Sequence, residues 1–350
     1  MKEKATSRNT HSQAPSEGEG AQPGWGDKSQ EATRFDAGLE LIDAAQRGDL
    51  GKVRRLLPMA DCSFQGRNEN NALHAATVFG HGACVRELLP HFDAKKKGAK
   101  GKTALMIAAG EQWAEGVKLL LPQSDPHATS GDGWTALMFA VLGLRQGKSA
   151  ECARLILPAS DAKALDKEGC SALFWAAQAG NAECVEMLLP FSDPLAAHQS
   201  GTTPLMIGAW SGAEEVVAAL LPVSNARAVN EKGETALMFA CSAGIERGAR
   251  LLLGVSDLQA RDHAGRSALD HARAFKDPKV AKILADMIGE RIAIDERTEL
   301  AGAVSQADPN DQNEESGQIS QTCADRMAPG ERPQANGPEP RIARRSPRTL

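Results

Sequence analysis

"DKEGCSALFWAAQAGNAECVEMLLP", Asp166 to Pro190, is the stretch whose reading decides the fold. It reads as a turn, a short helix, a second turn, a second short helix and a break. Ser171 stands two residues before Leu173, where its hydroxyl can accept a hydrogen bond from an orphan N–H at a helix start. Gly180 ends the first helix. "AECVEMLL" carries the apolar stripe of a second helix, and Pro190 cannot continue it. Two helices this short cannot bury an apolar face alone, so the stretch must stack on copies of itself.

The copies are present. "GTTPLMIGAWSGAEEVVAALLP", Gly201 to Pro222, repeats the pattern, with Pro204 at the first helical position, where proline loses no bond. Aligned on the leucine of the first helix, the units anchor at Leu41, Leu73, Leu105, Leu137, Leu173, Leu205, Leu237 and Leu269, at a spacing of 32 interrupted once by 36. The four extra residues fall within Leu144–Ser149. Three further columns keep register. Proline closes the second helix at Pro58, Pro90, Pro122, Pro158, Pro190 and Pro222. Asp61, Asp93, Asp125, Asp161, Asp193, Asn225 and Asp257 follow three residues later. Gly101, Gly133, Gly169, Gly201, Gly233 and Gly265 precede the anchor by four. The connector "LLPFSDPLAAHQSGTTPL", Leu188 to Leu205, therefore returns the chain to the next layer through a hairpin-like loop.

These units resemble the ankyrin repeat family, over about eight repeats from Leu39 to Met287. The resemblance implies an all-α repeat solenoid of ankyrin-type helix-turn-helix units. The sequence departs from the family in its 32-residue period and in its "LLPxSD" connector. The histidine that follows the family's "TPL" survives only as His74; Met106, Met138, Phe174, Met206 and Met238 stand elsewhere, so apolar packing should replace its polar network. The first and last units, with Gln46, Arg47 and Arg55, and with Arg273, Lys276 and Lys279, suit polar end caps. The expected organisation is a disordered tail over 1–35, a repeat domain over 36–289 and a second disordered tail over 290–350.

Composition narrows function. Aromatics are only 4% and tyrosine is absent, which suits a core of Leu, Ala, Val and Met in close helices. A net charge of −5 gives no global field for nucleic acid. The N-terminus lacks an apolar signal region, no run approaches a membrane span, and seven scattered cysteines without a CxxC pair read as reduced thiols, so a cytoplasmic protein is expected. An alternative is an effector exported into a host cell by its polar N-terminus.

No catalytic constellation stands out: there is no phosphate loop, no GxSxG and no HExxH. The repeated "SD" reads as turn chemistry. His74, His81, Cys84 and His91 lie within 18 residues, but position 84 is a packing column shared with Cys152 and Cys184. Neither cofactor nor metal nor enzymatic activity is expected. The lysines of "AKKKGAKGKTAL" (Lys95, Lys96, Lys97, Lys100, Lys102) read as a solvated loop or a contact for an acidic partner, and the basic "RIARRSPRTL" as a solvated tail end.

The resemblance implies a protein partner docking on the concave face made by loop tips and first helices, with the chain a monomer. In this sequence that face maps to Arg67, Lys100, Lys102, Asp132, Trp134, Lys167, Glu168, Thr202, Glu231, Lys232 and Glu234 at the tips, and to Phe79, Leu142, Gln178 and Trp210 at helix ends. Trp134 and Trp210 are the candidate anchors. Trp175, level with Ile107, Phe139, Ile207 and Phe239, reads as core, and Trp113 as a substitute for the glycine that ends a first helix.

Overall fold

The computed structural model describes residues 28–66, 68–143 and 150–306. The chain divides into two units, Met1–Ala293 and Ile294–Leu350. Among the described residues there are sixteen α-helices and no strand. In order they are α1 (Lys28–Arg47), α2 (Leu50–Leu56), α3 (Ala72–Val78), α4 (Gly82–Leu88), α5 (Ala104–Gly110), α6 (Ala114–Leu120), α7 (Ala136–Leu142), α8 (Glu151–Ile156), α9 (Ala172–Ala179), α10 (Ala182–Leu188), α11 (Pro204–Ser211), α12 (Glu214–Leu220), α13 (Ala236–Ala243), α14 (Glu246–Leu252), α15 (Ala268–Arg273) and α16 (Pro278–Gln306).

Each odd-numbered helix from α3 to α15 starts where the sequence reading put it. Asn71, Thr103, Thr135, Ser171, Thr203, Thr235 and Ser267 are N-caps whose side-chain oxygens accept from the backbone N–H three residues on. The methionines close these caps: the backbone N–H groups of Thr103, Thr135 and Thr203 approach the sulfurs of Met106, Met138 and Met206 at 3.4–3.5 Å. A thioether is a weak acceptor, so this is mainly buried apolar packing, as expected in place of the missing histidines. The first helices end at left-handed glycines, with φ of 70° at Gly180 and 74° at Gly244. In the third layer, where this glycine is replaced, Gln112 itself adopts φ 57°; Trp113 is instead the N-cap residue of α6, which corrects its sequence reading.

The second helices stop before the proline rather than at it. Pro122, Pro158 and Pro222 sit inside short 3-10 turns that follow α6, α8 and α12. The "SD" column is turn chemistry: each carboxylate or amide, as at Asp93, Asp161 and Asn225, accepts the N–H two residues on.

First helices pack on first helices from α1 to α15, and second helices pack beside them. The anchor leucines from Leu73 to Leu237 are fully buried, while Leu269 in the last repeat is only partly so. Two further devices join the layers. At the loop tips, backbone N–H groups of Gly131, Lys167, Gln199, Glu231 and His263 donate to the carbonyls of Lys100, Asp132, Glu168, Ser200 and Lys232 in the preceding layer, at 2.8–3.1 Å. On the second helices, ion pairs link Arg54 to Glu87, Arg86 to Glu115, Lys118 to Glu151, Arg154 to Glu183 and Arg247 to Glu214.

Helices extend past both expected limits of the repeat domain. Residues 28–35 belong to α1 and 290–306 to α16. Both segments are free of proline and contain strong helix formers such as Ala, Glu, Gln, Lys and Arg. The rest of both tails, the insert at 144–149, Arg67, the basic C-terminal end and the N-terminal segment considered for export lie outside the described residues.

Candidate functional site

The hairpin tips and the first-helix residues beside them form a surface with an aromatic centre. Trp134, at the tip entering α7, stacks at a tilt on Trp175 of α9, with centroids 4.6 Å apart, and on Phe139 of α7 at 5.2 Å. Trp175 is fixed from below. Its Nε1–H donates to Oδ2 of buried Asp166 at 3.0 Å, and the other oxygen of Asp166 accepts the backbone N–H groups of Glu168 and Cys170. Lys102 extends from the preceding tip, its Nζ 4.6 Å from the Phe139 centroid, a cation–π geometry.

Two adjoining concavities share this aromatic floor. One, of about 560 Å³, is walled by Lys102, Glu111, Leu142 and Gln178. The other, of about 420 Å³, is walled by Asp132, Lys167 and Glu168. The structure thus gathers Lys102, Asp132, Trp134, Leu142, Lys167, Glu168 and Gln178, all named from the sequence, around one centre. Gln178 brings a buried amide oxygen with no partner among the described residues.

Other expected residues lie elsewhere. Phe79, more than half exposed, lines a separate concavity of about 360 Å³ with Leu39, Ile42 and Val78. Trp210 is 51% exposed at the end of α11. Lys100, Glu231 and Lys232 are exposed at their tips, and Glu234 is half-buried, accepting from the Asn230 amide at 3.0 Å. Thr202 is a correction. It is buried, and its hydroxyl bonds to Ser200 under the turn, so it offers no contact surface.

Trp175 is a second correction, and Phe139 a residue the sequence reading missed. The apolar character of their column predicts core for both. In fact Ile107, Phe139, Trp175, Ile207 and Phe239 are all half-buried, a continuous stripe along the tip side of the first helices. The signal was available: the column beside it, the anchor leucines, already fills the core.

Several thiols and His74 are buried in the stack. Burial pushes the thiols of Cys170, Cys184 and Cys241 up to about 12 and that of Cys152 to about 11, so they stay protonated and inert near neutral pH. Burial lowers the His74 pKa; its Nδ1 bonds to Asn71 at 2.7 Å. His81 points elsewhere, to the Gln46 carbonyl at 3.0 Å, so the His/Cys group does not converge.

Glu234, Asp262 and His271 do bring three potential ligand atoms within 4.8 Å of one another. A cation already occupies this group. The Arg266 guanidinium lies 2.7 Å from Asp262, and His271 Nε2 lies 2.9 Å from the same oxygen. Burial alone would raise the Asp262 pKa. The N–H of Arg266, its guanidinium, His271 and the N–H of Ala264 outweigh burial and hold the carboxyl well below the usual range.

A family model described as ankyrin repeats (3 copies) matches residues 41–130, 84–157 and 144–227. Among curated proteins, none matches the chain. No helix among the described residues is long and apolar enough to cross a membrane.

Proposed function

This chain belongs to the ankyrin repeat family, and from that premise we propose that it is a non-enzymatic scaffold binding a protein partner on the concave face of its hairpin tips and first helices. Ankyrin repeats are generally protein–protein interaction modules. A repeat fold does not name its partner; the variable surface positions carry that choice.

One observation carries the reading. The aromatic floor of Trp134, Phe139 and Trp175 is half-exposed and ringed by charged tip residues drawn from successive layers. Apolar anchors within a polar rim are what protein interfaces are made of. The second-helix side offers less: its charges are largely used in pairs between layers.

Photo-crosslinking tests this. A benzoylphenylalanine is placed at Glu168 or Glu231 on the tips, and at Arg55, exposed on α2, as a control. The expected result is a discrete protein adduct from the tip positions in native lysate and none from Arg55. Adducts from Arg55 with none from the tips would refute the assignment of the face.

A further inference from the structure

The concavity over Trp134 and Trp175 has the chemistry of a cation receptor. Its floor is two indoles, one of them locked by the bond from Trp175 Nε1 to Asp166. Indole faces attract cations electrostatically, more strongly than any other side-chain ring. The protein already uses the neighbouring ring in this way, with Lys102 over Phe139. The wall is set for positive charge as well. Asp132 and Glu168 are exposed carboxylates against the single ammonium of Lys167, leaving one net negative charge over an apolar floor. Asp132 has no ion-pair partner among the described residues, and Glu168 has only His198, at 3.9 Å.

We infer that this concavity receives an arginine side chain presented by an extended basic segment of the partner protein. The guanidinium lies against the indoles and pairs with Asp132 and Glu168. Arginine fits better than lysine because its planar fork stacks on a ring and donates to carboxylates at once, whereas an ammonium is a hydrated point charge. This inference rests on the protein-binding reading above and gives that face its ligand chemistry.

The test uses the full chain at physiological salt and an acetylated, amidated nona-arginine peptide as the probe. Isothermal titration gives the Kd, and the indole N–H signals in NMR report where the peptide sits. The expected result is movement of the Trp134 and Trp175 indole signals. The Asp132→Asn/Glu168→Gln variant should weaken binding at least about tenfold. Glu186→Gln/Glu215→Gln, which removes the same charge from the second helices, should leave the Kd unchanged, and nona-lysine should bind several-fold more weakly.

Trp175→Leu should also weaken binding, with circular dichroism confirming the fold; the exposed Asp132 and Glu168 variants keep the test decisive if it does not fold. Equal losses in the two carboxylate variants, or indole signals that stay still, would show diffuse attraction to an acidic protein and overturn the inference. Nona-lysine binding as tightly as nona-arginine would overturn the guanidinium. If the arginine test fails while the tip crosslinks persist, only this inference falls. If the crosslinks vanish, the scaffold reading falls.

Discussion

Gly133→Ala should destabilise the protein by at least about 1.5–2.5 kcal/mol, and Gly265→Ala by only about 1 kcal/mol. Both glycines hold the same place in their hairpins, with φ of 85° and 76°. An alanine forced into this region costs about 1–2 kcal/mol, offset by about 0.4–1 kcal/mol because alanine restricts the unfolded chain. That residue of about 1 kcal/mol is common to both sites. The surroundings then separate them. A Cβ on Gly133 would lie 2.8 Å from the Lys167 nitrogen and 3.2 Å from the Asp166 backbone, while one on Gly265 would meet nothing within 4 Å. Backbone atoms cannot rotate aside, so the next layer must shift. The Lys167 N–H bond to the Asp132 carbonyl, 3.1 Å long, stretches or breaks, which adds about 0.5–1.5 kcal/mol before any loss of packing. Urea unfolding followed by circular dichroism measures both variants. In a stacked repeat one weakened junction should also lower cooperativity, so Gly133→Ala should show a shallower transition. Equal losses at the two glycines would refute the claim that close backbone approach between layers, rather than turn strain, makes this column glycine.

Three further expectations concern other parts of the molecule. Glu186→Arg should stabilise by about 0.2–1 kcal/mol in thermal unfolding: position 186 is the column of Arg54, Arg86, Lys118 and Arg154, and Glu215 holds in the next layer the place that Glu183 holds for Arg154. Because the Asp262 pKa is depressed in the fold, its stabilisation is present above the unfolded value of about 4 and is lost as pH falls toward the folded value. Asp262→Asn should therefore be less stable than wild type at pH 7, and its melting temperature should fall less between pH 5 and pH 3. In native alkylation with iodoacetamide at pH 8, half-exposed Cys62 should label well before Cys184 and Cys241, whose buried thiols are pushed up to about 12; early labelling of Cys241 would show that the stack opens locally.

The fold was legible because a repeat writes the same physical constraint many times. A threonine or serine two residues before a leucine is ambiguous once; in seven units, with an asparagine standing in at Asn71, it is a cap column. Even the exceptions obey the backbone. Glu69 stands where later units have glycine and still adopts φ 60°. The column rule misled where one column holds side chains of different size. Three residues before the anchor, Lys102 and Trp134 reach outward while Cys170 and Thr202 are short enough to stay under the turn, so the same position is surface in one layer and buried in another. Trp175 departs from its expected place for the opposite reason: apolar character does not imply burial, since an apolar column can line a groove as readily as a core. The ends of the domain were hard to read because α1 and α16 begin or continue in polar sequence, where helix propensity rather than an apolar stripe carries the signal.

The way the layers are joined leaves the side chains of the tip face free to vary. On the second helices the link between layers is made by side chains, so changing Arg154 or Glu183 alters the stack itself. At the tips the link is made by backbone: the carbonyls of Lys100, Asp132, Glu168, Ser200 and Lys232 accept whatever side chain those residues bear. That position holds two lysines, an aspartate, a glutamate and a serine in five successive layers while the hydrogen bonds stay at 2.8–3.1 Å. Side chains released from structural work can change charge and length at little cost in stability. A row of such positions beside a fixed aromatic floor can therefore acquire a partner without loosening the stack that presents it.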